Sequence, residues 1–335
     1  MSGTVLVTGG SGYIAGFLIQ RLLDEGWTVR TTVRSRERVP GLKARYGEAL
    51  DVRIADLDAD AGWAETAVGC THVAHVASPF PPEAPKDEEE LIRPARDGAL
   101  RVLRAARDAG VGRFVMTSST AAVGYGHPKE RTRFTEADWT DPASPEAYAY
   151  VRSKTIAERA ARDWVAGQGG GMEFVTVNPA GVVGPLIDGD LSSSINIVKK
   201  ALEGSVPGYP DIGYPLVDVR DVADLHYRAL VEPGLAGERF IAANGYMTLA
   251  EVGAVLRREL GPQARRVPKR TLPNWLVRIV ARFDPVVGQI VGDLGRRREM
   301  DGSRAKERLG WSPRPVEESV VATARSLIDL KLVKV

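Results

Sequence analysis

An α/β fold, a doubly wound parallel sheet with a smaller C-terminal lobe, is what this sequence predicts, and three observations carry the prediction. Short apolar runs alternate with amphipathic helical patterns as far as Ala243. The first of these runs breaks into glycines and then resumes as a helix. Beyond Gly184-Pro185 the chain turns rich in Gly, Pro and Ser and leaves the sheet pattern. At 335 residues it is long enough to bury a substantial core.

Composition narrows the class. Lys and Arg number 45 against 43 Asp and Glu, a net +2, so no global field points to nucleic acid or a membrane. No apolar run approaches the ~18 residues of a membrane span. The single cysteine, Cys70, leaves no internal disulfide, and the N-terminus enters its first strand without a charged-then-apolar leader; both point to the cytoplasm. The four histidines show no metal pattern, because His72 and His75, three apart on a strand, project to opposite faces and suit packing or the surface.

The organising stretch is Val5-Leu-Val-Thr-Gly-Gly-Ser-Gly-Tyr-Ile-Ala15. It reads as strand, turn and helix, with Ile14, Phe17, Leu18 and Leu22 at helical spacing and a second strand from Thr28 to Val33. Gly9 and Gly10 permit the tight turn, Gly12 lets the backbone approach a pyrophosphate, and the free N–H groups of the helix start favour its negative charge. This is the Rossmann arrangement. A dinucleotide is the expected occupant, with Gly9, Gly12, Tyr13 and Ile14 as candidate contacts. Ala15 stands where a third glycine is commoner and still allows close helix–strand packing. Glycine turns also arise for purely steric reasons, so the strand–helix–strand context is the stronger part of the signal.

The second strand ends Thr31-Thr-Val-Arg34-Ser-Arg36, with a base where an NAD-selective site places a carboxylate. Arg34, helped by Arg36 or Arg38, suits the 2′-phosphate of NADP through its planar fork; a solvated loop is the alternative. Val52 to Leu57 reads as strand three, with Asp56 at its carboxyl end as an adenine contact or a turn aspartate. Thr71 to Pro79 is strand four. Small Ala77 and Ser78 there admit a pyrophosphate or the nicotinamide ribose, and the prolines through Pro85 make an irregular segment bordering the substrate. Lys86 to Ala109 is a long helix with an acidic start, ended by Gly110 to Gly112. Arg113 to Thr120 is strand five, ending in hydroxyls that serve as caps or as catalytic groups.

Tyr150-Val-Arg-Ser-Lys154 opens the next helix, and a spacing of four puts both side chains on one face. A free phenol has a pKa of about 10, which a nearby ammonium lowers, so the pair forms an acid/base device; an exposed helix face is the bland reading. Glu173 to Asn178 is strand six. Asp218 to Ala229 reads as a helix returning against the nucleotide domain, Arg239 to Ala243 as a strand, and Leu249 to Leu260 and Val316 to Leu330 as helices of the lobe. The predicted division is therefore 1–183 with 216–243 for the dinucleotide-binding domain, and 184–215 with 244–335 for the substrate lobe. Tyr209 and Tyr214 are candidate lining groups or ordinary packing aromatics. Arginines at 257, 258, 265, 266, 270 and 296 to 298 make the tail basic, read first as a solvated face, second as an anionic-substrate site and third as a nucleic-acid surface.

Val29-Arg-Thr-Thr-Val-Arg34, His75-Val-Ala-Ser-Pro79, Phe114-Val-Met-Thr-Ser-Ser119, Tyr150 to Lys154 and Asn178-Pro-Ala-Gly-Val-Val-Gly-Pro185 together resemble the extended short-chain dehydrogenases/reductases. Within them they are similar to the dihydroflavonol 4-reductase and cinnamoyl-CoA reductase branch, which also holds microbial aldehyde and ketone reductases. The resemblance implies Ser119 as the catalytic serine beside Tyr150 and Lys154, and places Asp56 and Leu57 by the adenine. It also implies Val76, Ala77 and Ser78 along the cofactor, Pro179 to Val182 flanking the nicotinamide, and Ser194, in Leu191-Ser-Ser-Ser-Ile195, as a looser cofactor contact. The expected activity is NADPH-dependent reduction of an aldehyde or ketone, with a small carbonyl compound as partner. A sugar-nucleotide epimerase or dehydratase holding NAD is the second reading, and a non-catalytic dinucleotide sensor the third. Monomer and homodimer both stay open, the helices from residues 87 and 147 being candidates for pairing subunits.

Overall fold

The computed structural model of the chain describes residues 3–78, 87–189 and 192–335. Strands β1 (Thr4–Val7), β2 (Thr28–Val33), β3 (Asp51–Ile54), β4 (His72–His75) and β5 (Arg113–Thr117) alternate with α1 (Tyr13–Asp24), α2 (Val39–Tyr46), α3 (Trp63–Ala67) and α4 (Glu89–Asp108). The short strand β6 (Arg133–Phe134) precedes α5 (Ala149–Gln168), β7 (Glu173–Pro179), β8 (Gly181–Val183), α6 (Ser193–Glu203), β9 (Gly213–Asp218), α7 (Val219–Val231) and β10 (Arg239–Ala242). The chain ends through β11 (Tyr246–Thr248), α8 (Leu249–Leu260), α9 (Asn274–Val280), α10 (Pro285–Ile290), β12 (Glu299–Met300), α11 (Ser303–Leu309) and α12 (Val316–Asp329).

Seven strands pair in parallel in the order β10-β7-β5-β4-β1-β2-β3. Their apolar runs are continuous because both faces are covered: Val5, Val7, Val115 and Val177 join a core with α1 and α7, while Leu6, Phe114 and Phe174 join another with α4 and α5. The strand order reverses between β1 and β4, which pair at Val7 and Ala74, so the chain leaves these two ends on opposite courses and opens a crevice there.

A third core gathers Ile195, Val198, Leu202, Val252, Leu256, Val320 and Leu327 from α6, α8 and α12. The Ser-rich stretch after Gly184 proves partly regular: Ser192 caps α6 by accepting from Ile195 N–H at 3.4 Å. Asp218 is the cap of α7, accepting from Arg220 N–H at 2.8 Å, and not its first helical residue. Strand β5 stops at Thr117, which frees the hydroxyls from Ser118 onward for the following turn. The stretch from Pro79 to Pro85, read as bordering the substrate, lies outside the described residues, as do Lys86 and Leu191.

The basic tail is not a single solvated face. Arg296 and Arg298 are buried, the first paired with Glu146 and the second with Asp293 at 2.6 Å. Arg298 also lies 4.3 Å over the Tyr125 ring and donates to the Gly124 carbonyl at 3.0 Å. Half-buried carboxylates matched to buried guanidiniums thus bind the 293–298 segment to the 124–148 connection. Pairing of β12 with β6 completes the join.

Candidate active site

The turn after β1 and the loop after β4 meet at the switch point. Gly9 adopts φ +72°, and a β-carbon there would lie 3.0 Å from Ala77 Cα, so neither backbone nor space accepts a side chain. Ala77 N–H donates to Thr8 Oγ1 at 3.0 Å, Gly9 N–H to Thr32 Oγ1 at 3.0 Å, and Gly10 N–H to the Thr32 carbonyl at 2.8 Å. The turn is therefore clamped to the ends of β2 and β4 together. Burial and the nearby Lys154 charge hold His75 down to about 3; its neutral Nδ1 lies 3.0 Å from Thr8 Oγ1. Helix α1 begins after Gly12 with no capping side chain and no acid in its first turn among the described residues. Its free N–H groups form an anion seat.

That seat fits a dinucleotide pyrophosphate, and Tyr13 and Ile14, both half-buried, supply its first turn. Arg34 stands exposed one residue past β2, without an ion pair among the described residues, as a second phosphate requires. Ser78 is half-buried at the crevice, as are Val76 and Ala77. Asp56 accepts from Asp58 N–H at 3.1 Å, a local aspartate turn, and Leu57 packs where a β-carbon on Gly98 would come within 2.8 Å. Pro179 is buried at the end of β7, opposite Ala242, and Val182 is half-buried in β8. Ser194 returns to this segment from α6: a β-carbon on Gly181 would lie 3.3 Å from its Oγ.

Ser119, Tyr150 and Lys154 come together on the other wall. Tyr150 Oη donates to Ser119 Oγ at 3.4 Å, and Ser119 Oγ also accepts from Ala121 N–H at 3.1 Å. The serine's own O–H is left to donate. Lys154 Nζ donates to Ser78 Oγ at 2.9 Å and sits 5.9 Å from the Tyr150 ring centre. Burial pushes the Tyr150 phenol up, opposed by the bond to Ser119. The expected lowering is thus corrected to a rise, because burial of the phenol, which spacing on a helix does not reveal, governs its proton affinity. Burial also pushes Lys154 down to about 8, with Glu158 opposing.

Glu158, one turn beyond Lys154, is a group the sequence reading missed. It is fully buried and accepts from Ser118 Oγ at 2.5 Å, Asn178 Nδ2 at 2.8 Å, Thr176 Oγ1 at 3.1 Å, Arg239 Nε at 2.7 Å and Arg162 Nε at 3.2 Å. Burial raises its carboxyl, but Arg239, Arg162 and the Ser118 bond hold it below the usual range. Asn178 Nδ2 also donates to the Ser119 carbonyl at 3.2 Å, so this carboxylate fixes the peptide on both sides of Ser119's turn. Its place four residues after Lys154 was the available signal.

Aromatic groups line the approach. Tyr148 stacks on Tyr150 with ring centres 6.4 Å apart and meets Tyr125 edge-on at 6.0 Å. Desolvation pushes the Tyr148 phenol up to about 12, although the residue as a whole is exposed, and burial pushes Tyr125 well above the ordinary phenol value. Burial raises Tyr214 too, with Asp293 and Tyr148 close enough to add to the effect. Tyr209, by contrast, is buried in the lobe core, where a β-carbon on Gly253 would meet its Oη at 2.4 Å. Of the two candidate lining tyrosines, only Tyr214 faces this group.

The family model described as "NAD dependent epimerase/dehydratase family" matches residues 5–243. The chain is 36% identical to cinnamoyl-CoA reductase CAD2 of Medicago truncatula, over 99% of this chain and 97% of that protein. It is 33% identical to dihydroflavonol 4-reductase of Zea mays, over 85% of this chain and 80% of that protein. In fold it is similar to the yeast methylglyoxal/isovaleraldehyde reductase Gre2 complexed with NADPH, with a TM-score of 0.82 at 24% identity, covering 98% of this chain and 99% of that one.

Proposed function

The chain belongs to the NAD-dependent epimerase/dehydratase family, among the extended short-chain dehydrogenases/reductases, and on that premise we propose that it is an NADPH-dependent reductase converting an aldehyde or ketone to the alcohol. One observation supports the reading: the hydrogen-bonded pairs Tyr150 Oη–Ser119 Oγ and Lys154 Nζ–Ser78 Oγ lie side by side, with Lys154 Nζ 5.9 Å from the Tyr150 ring centre, and join α5 to the segments that follow β4 and β5. The named reductases among the relatives support it.

The glycine turn would hold NADPH and Arg34 its 2′-phosphate, and the bound cofactor would supply hydride. Ser119 directs its free O–H at the carbonyl oxygen and holds it against the phenol. Tyr150 gives its proton to that oxygen as charge develops there. Lys154, tethered by Ser78 and balanced by Glu158, places a positive charge beside the phenolate that remains. Glu158 and Asn178 act as positioning residues, keeping the Ser118–Ser119 turn facing Tyr150. In this reading residues 1–183 and 216–243 hold the cofactor, and 184–215 with 244–335 close over the substrate, in the cytoplasm.

The rival within the same family is a sugar-nucleotide epimerase, which returns hydride to the same molecule and benefits from retaining NAD. The exposed base at Arg34 favours an exchanging NADP. A panel of aldehydes, ketones and UDP- or dTDP-sugars, followed by NADPH absorbance and product analysis, tests the choice. Stoichiometric NADPH consumption with a carbonyl compound is the expected result.

A further inference from the structure

One segment of the lobe differs from the rest of the molecule. From Gly261 to Phe283 the chain carries six cations, Arg265, Arg266, Lys269, Arg270, Arg278 and Arg282, and no Asp or Glu. All are exposed, and among the described residues none forms an ion pair, whereas many arginines elsewhere in the chain are matched to carboxylates. Beside them Trp275, Ile279, Val280 and Phe283 are exposed too, Trp275 by 62% and Phe283 by 83%. Single exposed apolar residues are ordinary, but four within nine positions form a patch.

Helix geometry organises the patch. Val277 points inward to Ile212 and Leu294, which fixes the rotation of α9. The helical bonding continues past Val280, with Arg282 N–H donating to the Ile279 carbonyl at 3.1 Å and Phe283 N–H to the Val280 carbonyl at 2.9 Å. At about 100° per residue, Trp275, Ile279 and Phe283 then share one outward stripe, and Arg278 and Arg282 border it. We propose that this face docks on an anionic lipid bilayer, with α9 lying in the headgroup plane. The aromatic and aliphatic groups reach the acyl boundary while the guanidiniums meet headgroup phosphates. No helix among the described residues is long and apolar enough to cross a membrane, so the contact is peripheral. A second copy of this chain is a poor occupant, since a two-fold contact would set like charges against each other. The inference does not depend on the reductase reading.

The full chain is sedimented with vesicles of phosphatidylcholine alone and of phosphatidylcholine mixed with phosphatidylglycerol, at low and high salt. Binding is expected to the mixed vesicles only, released by salt. The double variant Arg278→Gln/Arg282→Gln weakens it by about 25-fold, from about fivefold for each cation. Trp275→Ala/Phe283→Ala weakens it with an unchanged melting temperature, because both side chains are exposed. The proposal is overturned if the mixed vesicles bring down no more protein than phosphatidylcholine does, or if the patch variants pellet like the parent. It is equally overturned if the patch substitutions abolish self-association or oligonucleotide binding in a protein that ignores vesicles.

Discussion

Lys154 Nζ donates to Ser78 Oγ across 2.9 Å, tying the second turn of α5 to the loop that follows β4. The bond spans the crevice, so the ammonium beside the Tyr150 ring is anchored on the side where the glycine turn seats a dinucleotide. Position and burial together set its proton affinity.

Burial holds folded Lys154 down to about 8, against 10.5 for a free side chain. Between those values the unfolded chain binds more protons than the folded one, so this group makes stability rise with pH across that window. Urea unfolding of the parent and of Lys154→Met, compared at a series of pH values, is expected to show the parent gaining on the variant from about pH 8 to about 10.5. A constant difference would mean that the folded ammonium titrates normally.

Glu158→Gln removes the charge that Arg239 and Arg162 share and leaves the buried Arg239 and half-buried Arg162 guanidiniums beside a neutral amide. Breaking a buried pair from one side costs about 3–5 kcal/mol, so denaturant titration should register a loss of that order. A loss below about 1 kcal/mol would show the network to be solvated.

Arg34→Ala is expected to weaken NADP binding selectively, because the guanidinium serves only the added phosphate. Fluorescence titration with NADPH and NADH measures it. Equal weakening of both would assign Arg34 to structure or to the adenine.

What the sequence disclosed was local. The glycine turn and the Tyr150–Lys154 spacing express constraints within a few residues, and the structure sets them on two walls of one crevice. What it hid was distant or a matter of burial. Arg239 reaches Glu158 from 81 positions away and Arg298 reaches Gly124 from 174, so neither spacing nor composition announced that these cations are internal. The direction of the Tyr150 shift failed for the same reason, since desolvation belongs to the folded environment and not to the i, i+4 pattern. The helix and strand between Gly184 and Asp218 were obscured because their serines and glycines serve as caps and close contacts, which composition alone renders as loop.

The central claim is that Tyr150 protonates a carbonyl oxygen while NADPH supplies hydride, and the most direct test follows deuterium from nicotinamide-deuterated NADPH into product with the parent and with Tyr150→Phe. The account predicts one deuterium on the alcohol carbon for each NADPH oxidised. It also predicts a variant slower by about a hundredfold to ten-thousandfold, with NADPH binding nearly intact, since only the acidic hydroxyl is lost. A Tyr150→Phe enzyme with near-parental turnover, or sugar-nucleotide interconversion without net NADPH consumption, would contradict it.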